Sequence, residues 1–420
     1  MSRRRFFRPI LRPAPGRELP ARLRIGRIER LAATFKQGLS DPQFAKLLQR
    51  IENGPILGGN RVEVYLDGDA AFAAMRAAIA GAEHEVLLES YIFKDDEAGR
   101  SILEAASDAA GRKVKVRVLA DAYGSISTRR AFWSEMEGRG IEVRLFHPLF
   151  KTLWYQPYRD HRKILVVDRR IAFTGGMNIG TEYGSPASVR GSTWRDTHVR
   201  VEGPAAWEMA TVFSEGWRRA DGKPFRLNHL PAEASEAAGA GVVVLDSRPN
   251  RGQAESAAAL AAVAGAARRY LWITNAYFAP GWRAVVTLRA AARRGVDVRL
   301  LLPGKTDVPI VRRAAHGYYT RLLSRGVRIF EYQPDILHAK TLVADDLVSV
   351  VGSTNLDFRS FVFNAECDLL ILDGATAETM AQAFRIDLDR SIEIDFAAWR
   401  RRPWRQRLGD RLARWLSPLL

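Results

Sequence analysis

Cysteine is nearly absent: Cys367 is the only one in 420 residues. An intramolecular disulfide framework and a cysteine-based zinc site are therefore excluded. Long apolar runs are absent too. An uncharged stretch such as Ser256–Ala267 is short and mostly alanine, whereas a membrane-spanning helix needs roughly 20 apolar residues, so none is expected. Acidic residues are under-represented, at 47 Asp plus Glu against 64 Lys plus Arg, which leaves a net charge of +17. Lysine is scarce as well, ten of those 64, so the surplus is arginine. A surplus of this size favours a polyanionic partner, nucleic acid or an anionic bilayer, without choosing between them. The opening MSRRRFFRPILRPAPG carries the charge of a signal peptide. Its apolar part stops at Phe6–Phe7, and it reads as a basic arm without a cleaved signal.

What is present is a body large enough for a substantial core, with 47% apolar residues. The length suggests two or three domains, or one body built of two halves. Residues 17–57 read as a helical extension, with Ser40-Asp41-Pro42 as a cap and Pro at the first helical position. Strand and helix patterns then alternate: a strand around Val62–Leu66, a helix over 70–82, and strands VLLESYIF (86–93), VKVRVLAD (114–121) and IEVRLF (141–146) with helices between them. Such alternation predicts an α/β body. The order recurs. YLWITNAYF (270–278) answers VLLESYIF, VDVRLLLPG (296–304) follows a helix at 282–294, and GVRIFEYQP (326–334) answers GIEVRLFHP (140–148). The offset of about 180 to 186 residues predicts two similar halves packed across a pseudo-twofold axis around one active site. The expected division is 1–58 arm and extension, 59–220 first half, 221–241 linker, 242–398 second half and 399–420 a basic amphipathic helix.

Each half ends in the same chemical pattern, DHRKILVVDRRIAFTGGMN and LHAKTLVADDLVSVVGSTN. Their alignment pairs His161 with His338, Lys163 with Lys340, Asp168 with Asp345, Gly175 with Gly352 and Asn178 with Asn355, each pair 177 residues apart. From composition alone, one His-x-Lys-x4-Asp match is expected about 0.01 times, so two with matching downstream positions are not coincidence. Preservation for folding alone is the competing reading, and it is disfavoured because His and Lys are poor core residues.

RKILVVD and AKTLVAD read as strands, so the His and Lys of each copy, two residues apart, project to one face. Asp168 and Asp345 fall where the strand turns. They enter the candidate site with the motif, although tying the turn is the more natural role for that position. The Gly-Gly-Met-Asn and Gly-Ser-Thr-Asn runs would bring backbone, Ser353, Asn178 and Asn355 close to a bound anion. Two imidazoles, two ammonium groups and two amides in one pocket suit phosphoryl transfer. One neutral His attacks phosphorus to give a phosphohistidine, and the other, protonated, serves the leaving and entering alcohols. The lysines offset charge on the non-bridging oxygens. No clustered ligand set is present, so neither metal nor cofactor is expected. Each His needs a group to fix its tautomer. The candidates are Asp196, 35 residues after His161, and Glu366, 28 after His338.

These residues resemble the phospholipase D superfamily, whose signature is the duplicated His-x-Lys-x4-Asp motif. Residues 59–100, the TGGMNIG run, GSTNLDFRSFVFNAE (352–366) and the closing RLARWLSPLL look like bacterial cardiolipin synthases. The likeness covers about residues 59–420. It implies a phosphatidyltransferase that moves a phosphatidyl group from phosphatidylglycerol, or a related phospholipid, to the glycerol hydroxyl of a second phosphatidylglycerol. It also implies that His161, the candidate nucleophile, and His338 divide the two roles, with Asp196 and Glu366 orienting them. Many members begin with two spanning helices. This chain looks like the short type, which implies a peripheral protein of the bacterial inner membrane.

The C-terminus offers a means of attachment. Trp404, Leu408, Leu412, Trp415, Leu416, Leu419 and Leu420 fall on one helical face, and Arg405, Arg407, Arg411 and Arg414 on the other. This pattern fits an interfacial helix on an anionic phospholipid surface. The competing readings are packing of that helix on the body and, for the whole chain, a phosphodiesterase that uses water, either a lipid hydrolase or a nuclease. A nuclease should line a basic groove with aromatics. Here they gather at Trp154-Tyr155 and in the tail, so no nucleic acid partner is expected.

Overall fold

A computed structural model describes residues 21–52, 54–147, 158–184, 193–225, 239–248 and 254–416. The basic arm, Trp154-Tyr155, most of the expected linker and the last four residues lie outside these.

The first half contributes strands β1 (Leu57–Tyr65), β2 (Glu85–Ser90), β3 (Lys115–Asp121), β4 (Glu142–Phe146), β5 (Lys163–Val167), β6 (Ile171–Gly175) and β7 (His198–Glu202). The second contributes β8 (Ala240–Ser247), β9 (Tyr270–Asn275), β10 (Asp297–Lys305), β11 (Arg328–Ile336), β12 (Lys340–Ala344), β13 (Val348–Gly352), β14 (Glu366–Leu372) and β15 (Ser391–Glu393). Among the described residues all fifteen strands form one sheet. Reading outward from its centre, one side runs β1-β7-β6-β5-β2-β3-β4 and the other β8-β14-β13-β12-β9-β10-β11, with β15 at the edge. The two sequences of strands are equivalent, and β1 pairs antiparallel with β8 where they meet. The expected pseudo-twofold α/β arrangement is therefore written directly in the strand order.

Helices cover both faces, which is why β2 and β9 are buried along their whole length and read as nearly continuous apolar runs. Where VLLESYIF was expected to run to Phe93, the strand ends at Ser90. The Ser90 hydroxyl donates to the Ile92 carbonyl, and Ile92 N–H donates to the Asn178 side chain, so the chain turns over the end of the sheet.

The N-terminal extension forms helices Ala21–Ala32 and Pro42–Glu52, the second starting at Pro42 with the Asp41 carboxylate accepting from Gln43 N–H. Ile28, Phe44, Leu47 and Leu48 join the core of the second half and pack on the alanine-rich helix Glu255–Ala266. Close approach explains the small residues there, since a Cβ on Gly265 would strike the Glu29 carbonyl.

The C-terminal helix Trp404–Trp415 lies on helix Pro309–Leu323. Its contact face is Asp410, Ala413 and Arg414, with the Arg414 guanidinium donating to the Gly317 carbonyl and Arg402 paired to Asp410. Arg414 was expected on the solvated side, and its contact with Gly317 moves it to the packed one. The stripe of Trp404, Leu408, Leu412 and Trp415 is left exposed, up to 79% at Trp415. No described helix is long and apolar enough to cross a membrane.

Candidate active site

Both motif histidines stand just before a central strand, His161 before β5 and His338 before β12. Lys163 and Lys340 open those strands beside the last residues of β2 and β9. Both couples thus sit at the same end of the sheet, where the parallel strands finish.

Two short backbone bridges fix what faces each ring. His161 N–H donates to the Ala365 carbonyl, and Ala365 N–H donates to that of Arg159. His338 N–H donates to the Arg195 carbonyl, and Arg195 N–H to that of Ile336. The residue after each bridge is a carboxylate. His161 Nδ1 donates to Glu366 Oε2 at 2.9 Å, and His338 Nδ1 to Asp196 Oδ2 at 2.7 Å. The order in sequence pairs each carboxylate with the histidine of its own half, and the structure crosses them, because the bridging strands run between halves. All six groups (His161, Lys163, Asp196, His338, Lys340, Glu366) are buried together in this seam.

The two carboxylates are held differently. Glu366 also accepts from the hydroxyls of Ser353 (2.6 Å) and Ser360 (2.7 Å) and, more weakly, from Asn364. Asp196 accepts from Thr197 N–H at 2.7 Å. At the position equivalent to Ser353 the first half has Gly176, where a Cβ would collide with the Asp196 carboxylate. Burial alone would raise both acids, but Lys340 and His338 hold Asp196 low, and His161 and Lys163 hold Glu366 low. They are anions, as tautomer-fixing acceptors must be.

Burial and the neighbouring Lys340 ammonium push Lys163 down to about 7, and burial pushes Lys340 down to about 8. Burial likewise lowers His161, and burial with Lys340 lowers His338 to about 4, so both rings rest neutral. Lys163 Nζ donates to the His161 carbonyl at 2.7 Å. Lys340 reaches the His338 carbonyl and lies 2.8 and 3.1 Å from that ring's two nitrogens. Nε2 of His161 has no such neighbour among the described residues. A ring wall surrounds the pair: Tyr91 stands edge-on to His161 at 4.9 Å, and Tyr183, Trp194 and Tyr277 pack around His338.

The fold with its paired motif agrees with what known proteins show. A family model described as cardiolipin synthase, PLD-like domain, matches residues 75–185 and 260–388. Cardiolipin synthase 1 of Bacillus anthracis is 34% identical over 430 residues, covering 100% of this chain and 82% of that protein. The chain belongs to the phospholipase D-like cardiolipin synthase family. Cardiolipin synthase A of Pseudomonas entomophila is another relative, 36% identical over 379 residues, 89% of this chain and 78% of that one. Among solved structures, the phosphatidylserine synthase of Haemophilus influenzae superposes with a TM-score of 0.68 at 14% identity, over 90% of this chain and 98% of that one, a likeness of fold.

Within this family frame two motif residues, Asp168 and Asp345, tie turns as their position suggested, and two others, Asn178 and Ser353, are already engaged. Asp168 and Asp345 stand at the far end of β5 and β12 from the lysines. Each is the first residue of a tight turn with two positive-φ residues, Asp168-Arg169 and Asp345-Asp346, the geometry of a type I′ hairpin. Their carboxylates accept three backbone N–H bonds each, from Glu83, His84 and Glu85 and from Arg268, Arg269 and Tyr270. They lock the motif strand to the strand beside it and take no part in the pocket. Asn178 spends its amide on Ile92 N–H and on the Tyr183 hydroxyl, and Ser353 spends its hydroxyl on Glu366. Neither is free for an anion. Asn355 is buried with its side-chain oxygen unpartnered. The sequence reading missed Tyr91, one residue beyond β2, and Tyr277, two residues beyond β9. It also missed Ser360 and Asn364, which lie inside the GSTNLDFRSFVFNAE segment.

Proposed function

We propose that this chain is a phosphatidyltransferase that converts two phosphatidylglycerol molecules into cardiolipin and glycerol through a covalent phosphohistidine. The observation that carries the reading is the crossed pair of His–carboxylate contacts, each with a lysine two residues on. His161 is the nucleophile, since its Nδ1–H is held by Glu366 and its Nε2 is unencumbered. Nε2 attacks the donor phosphorus. The anionic donor phosphate, once bound beside His338, favours protonation of that ring. The P–O bond to the glycerol headgroup then breaks, its electron pair stays on that oxygen, and the His338 imidazolium supplies the proton and becomes neutral. The second lipid's primary hydroxyl then gives its proton to neutral His338 as its oxygen bonds to phosphorus. The P–N bond breaks and its electron pair returns to His161. Lys163 and Lys340 stabilise the charge on the non-bridging oxygens, and Asn355 donates to one of them.

The protein works at the surface of an anionic bilayer. The exposed Trp404, Leu408, Leu412 and Trp415 stripe supports this, with Arg405, Arg407 and Arg411 beside it. Near such a surface each arginine contributes about 1 kcal/mol. The test is purified protein with phosphatidylglycerol vesicles and separation of the lipid products. Cardiolipin with equimolar glycerol is expected. Phosphatidic acid alone, or cleavage of DNA without lipid turnover, would refute the reading.

A further inference from the structure

Arg159, His161 and Lys163 lie at alternate positions of one extended segment, which the bridge to Ala365 holds straight. Alternation puts their side chains on one face. The residues between them, Asp160 and Arg162, point the other way, where Arg162 is locked by Asp246, Glu89 and Asp160. Arg159 has no such partner. It is only 7% exposed, and among the described residues its guanidinium makes no ion pair or hydrogen bond, resting instead over the Tyr123 ring at 4.8 Å. The nearby Asp121 is already engaged by the N–H groups of Tyr123, Gly124 and Asp160. The same loop packs on Tyr91, through Gly124, and the Tyr91 ring touches both His161 and Lys163. A nearly buried arginine with only the already engaged Asp121 carboxylate nearby, and no direct ion pair among the described residues, one alternation step from the reacting histidine, is a costly arrangement unless a ligand supplies the charge.

The position is asymmetric. The residue 177 further on is Ile336, so only one side of the pseudo-twofold pocket carries the extra cation. The two substrates are asymmetric in the same way. The donor phosphate sits between the motif couples, while the acceptor brings a second phosphodiester, one glycerol bridge away from the hydroxyl that attacks. Two residues of strand, about 6.6 Å, is a span that an extended glycerol bridge between two phosphates covers.

We infer that Arg159 is the binding site for the acceptor lipid's phosphodiester and selects anionic glycerol acceptors over neutral ones. The inference rests on the transferase reading above. Arg159 makes a charge-assisted contact to that phosphate and so holds the acceptor's primary hydroxyl toward the phosphohistidine, whose P–N bond breaks as the new P–O bond forms.

The experiment gives wild type and Arg159→Gln the same labelled phosphatidylglycerol donor with equimolar glycerol 3-phosphate and labelled glycerol as competing soluble acceptors. The ratio of the two transfer products does not depend on how much of a variant folds. Wild type should favour the anionic acceptor, and Arg159→Gln should lower that ratio about tenfold or more, with Arg159→Lys in between. An unchanged ratio, whatever the absolute rates, overturns the inference. Cardiolipin formation from vesicles by wild type is measured alongside. Its absence, with transfer to soluble acceptors intact, refutes the cardiolipin-forming reading by itself.

Discussion

His161 takes its orienting carboxylate from Glu366, 205 residues away and in the opposite half of the molecule. With the reciprocal His338–Asp196 contact, this means that neither half holds a complete histidine site. Replacing the carboxylate while keeping its shape isolates the effect. Glu366→Gln and Asp196→Asn leave packing intact but no longer fix the tautomer or balance the imidazolium. Turnover should fall by roughly two to four orders of magnitude in each. Ser353→Ala, which removes only one support of Glu366, should cost far less, on the order of tenfold. Lipid-transfer rates for the three variants check this, and a Glu366→Gln variant with near wild-type turnover would contradict the crossed assignment.

The two histidines themselves are not interchangeable under the proposed mechanism. His161→Ala and His338→Ala should both abolish transfer. Labelled phosphatidyl should be trapped, in an alkaline quench that preserves phosphohistidine, on the peptide carrying residue 161 in wild type. Label on the peptide carrying residue 338 would reverse the roles.

The motif aspartates should behave as structural residues. Asp168→Ala or Asp345→Ala frees three backbone N–H groups and removes the turn's preferred residue. The expected cost is about 2 kcal/mol or more in stability, with turnover per folded molecule little changed. Denaturant melts beside kcat decide the matter. A thousandfold fall in kcat without loss of stability would return these carboxylates to the chemistry.

Burial of two ammonium groups leaves a mark on the pH dependence of folding. Lys163 is lowered from 10.5 to about 7 and Lys340 to about 8. In the unfolded chain both stay charged up to about pH 10. Between about 7 and 10 the unfolded state therefore holds more protons, and stability rises with pH across that window. His338, lowered from 6.5 to about 4, acts in the same direction below it, with stability falling as pH drops from about 6.5 to 4. Lys163→Met removes one contribution. Its melting temperature should gain a few degrees less than wild type between pH 7 and 9. Parallel curves for the two proteins would show that Lys163 is not desolvated.

The sequence carried the duplication, the phase of the strands and the positions of both His–Lys couples, because each follows from local spacing. It did not carry the crossing. Spacings of 35 and 28 residues suggested partners within a half, whereas the Asp160–Ala365 and Arg195–Leu337 bridges that decide the matter join segments far apart. Residue type misled at Asn178 and Ser353, since polar groups beside an expected anion were needed first to satisfy buried neighbours. The alanine run at 256–267 showed no helical face in sequence because it is buried on every side, beneath the N-terminal helices.

The C-terminal helix separates attachment from folding, and this can be tested residue by residue. Removing the chain after Ala398 should weaken vesicle binding, but it would also strip the Asp410, Ala413 and Arg414 contacts from helix Pro309–Leu323. A fall in binding would then mix two causes. Trp404, Leu408, Leu412 and Trp415 are exposed between 47% and 79%, so converting them to serine removes little that the folded body uses. The melting temperature should stay within about 1 to 2 °C of wild type. Each large apolar side chain that enters the headgroup boundary contributes on the order of 1 to 3 kcal/mol, so losing the stripe should lower affinity for phosphatidylglycerol vesicles by at least a hundredfold. Transfer between short-chain lipids dissolved below their micelle threshold should be unaffected. Sedimentation with anionic vesicles unchanged by the quadruple substitution would show that the stripe does not hold the protein to the bilayer.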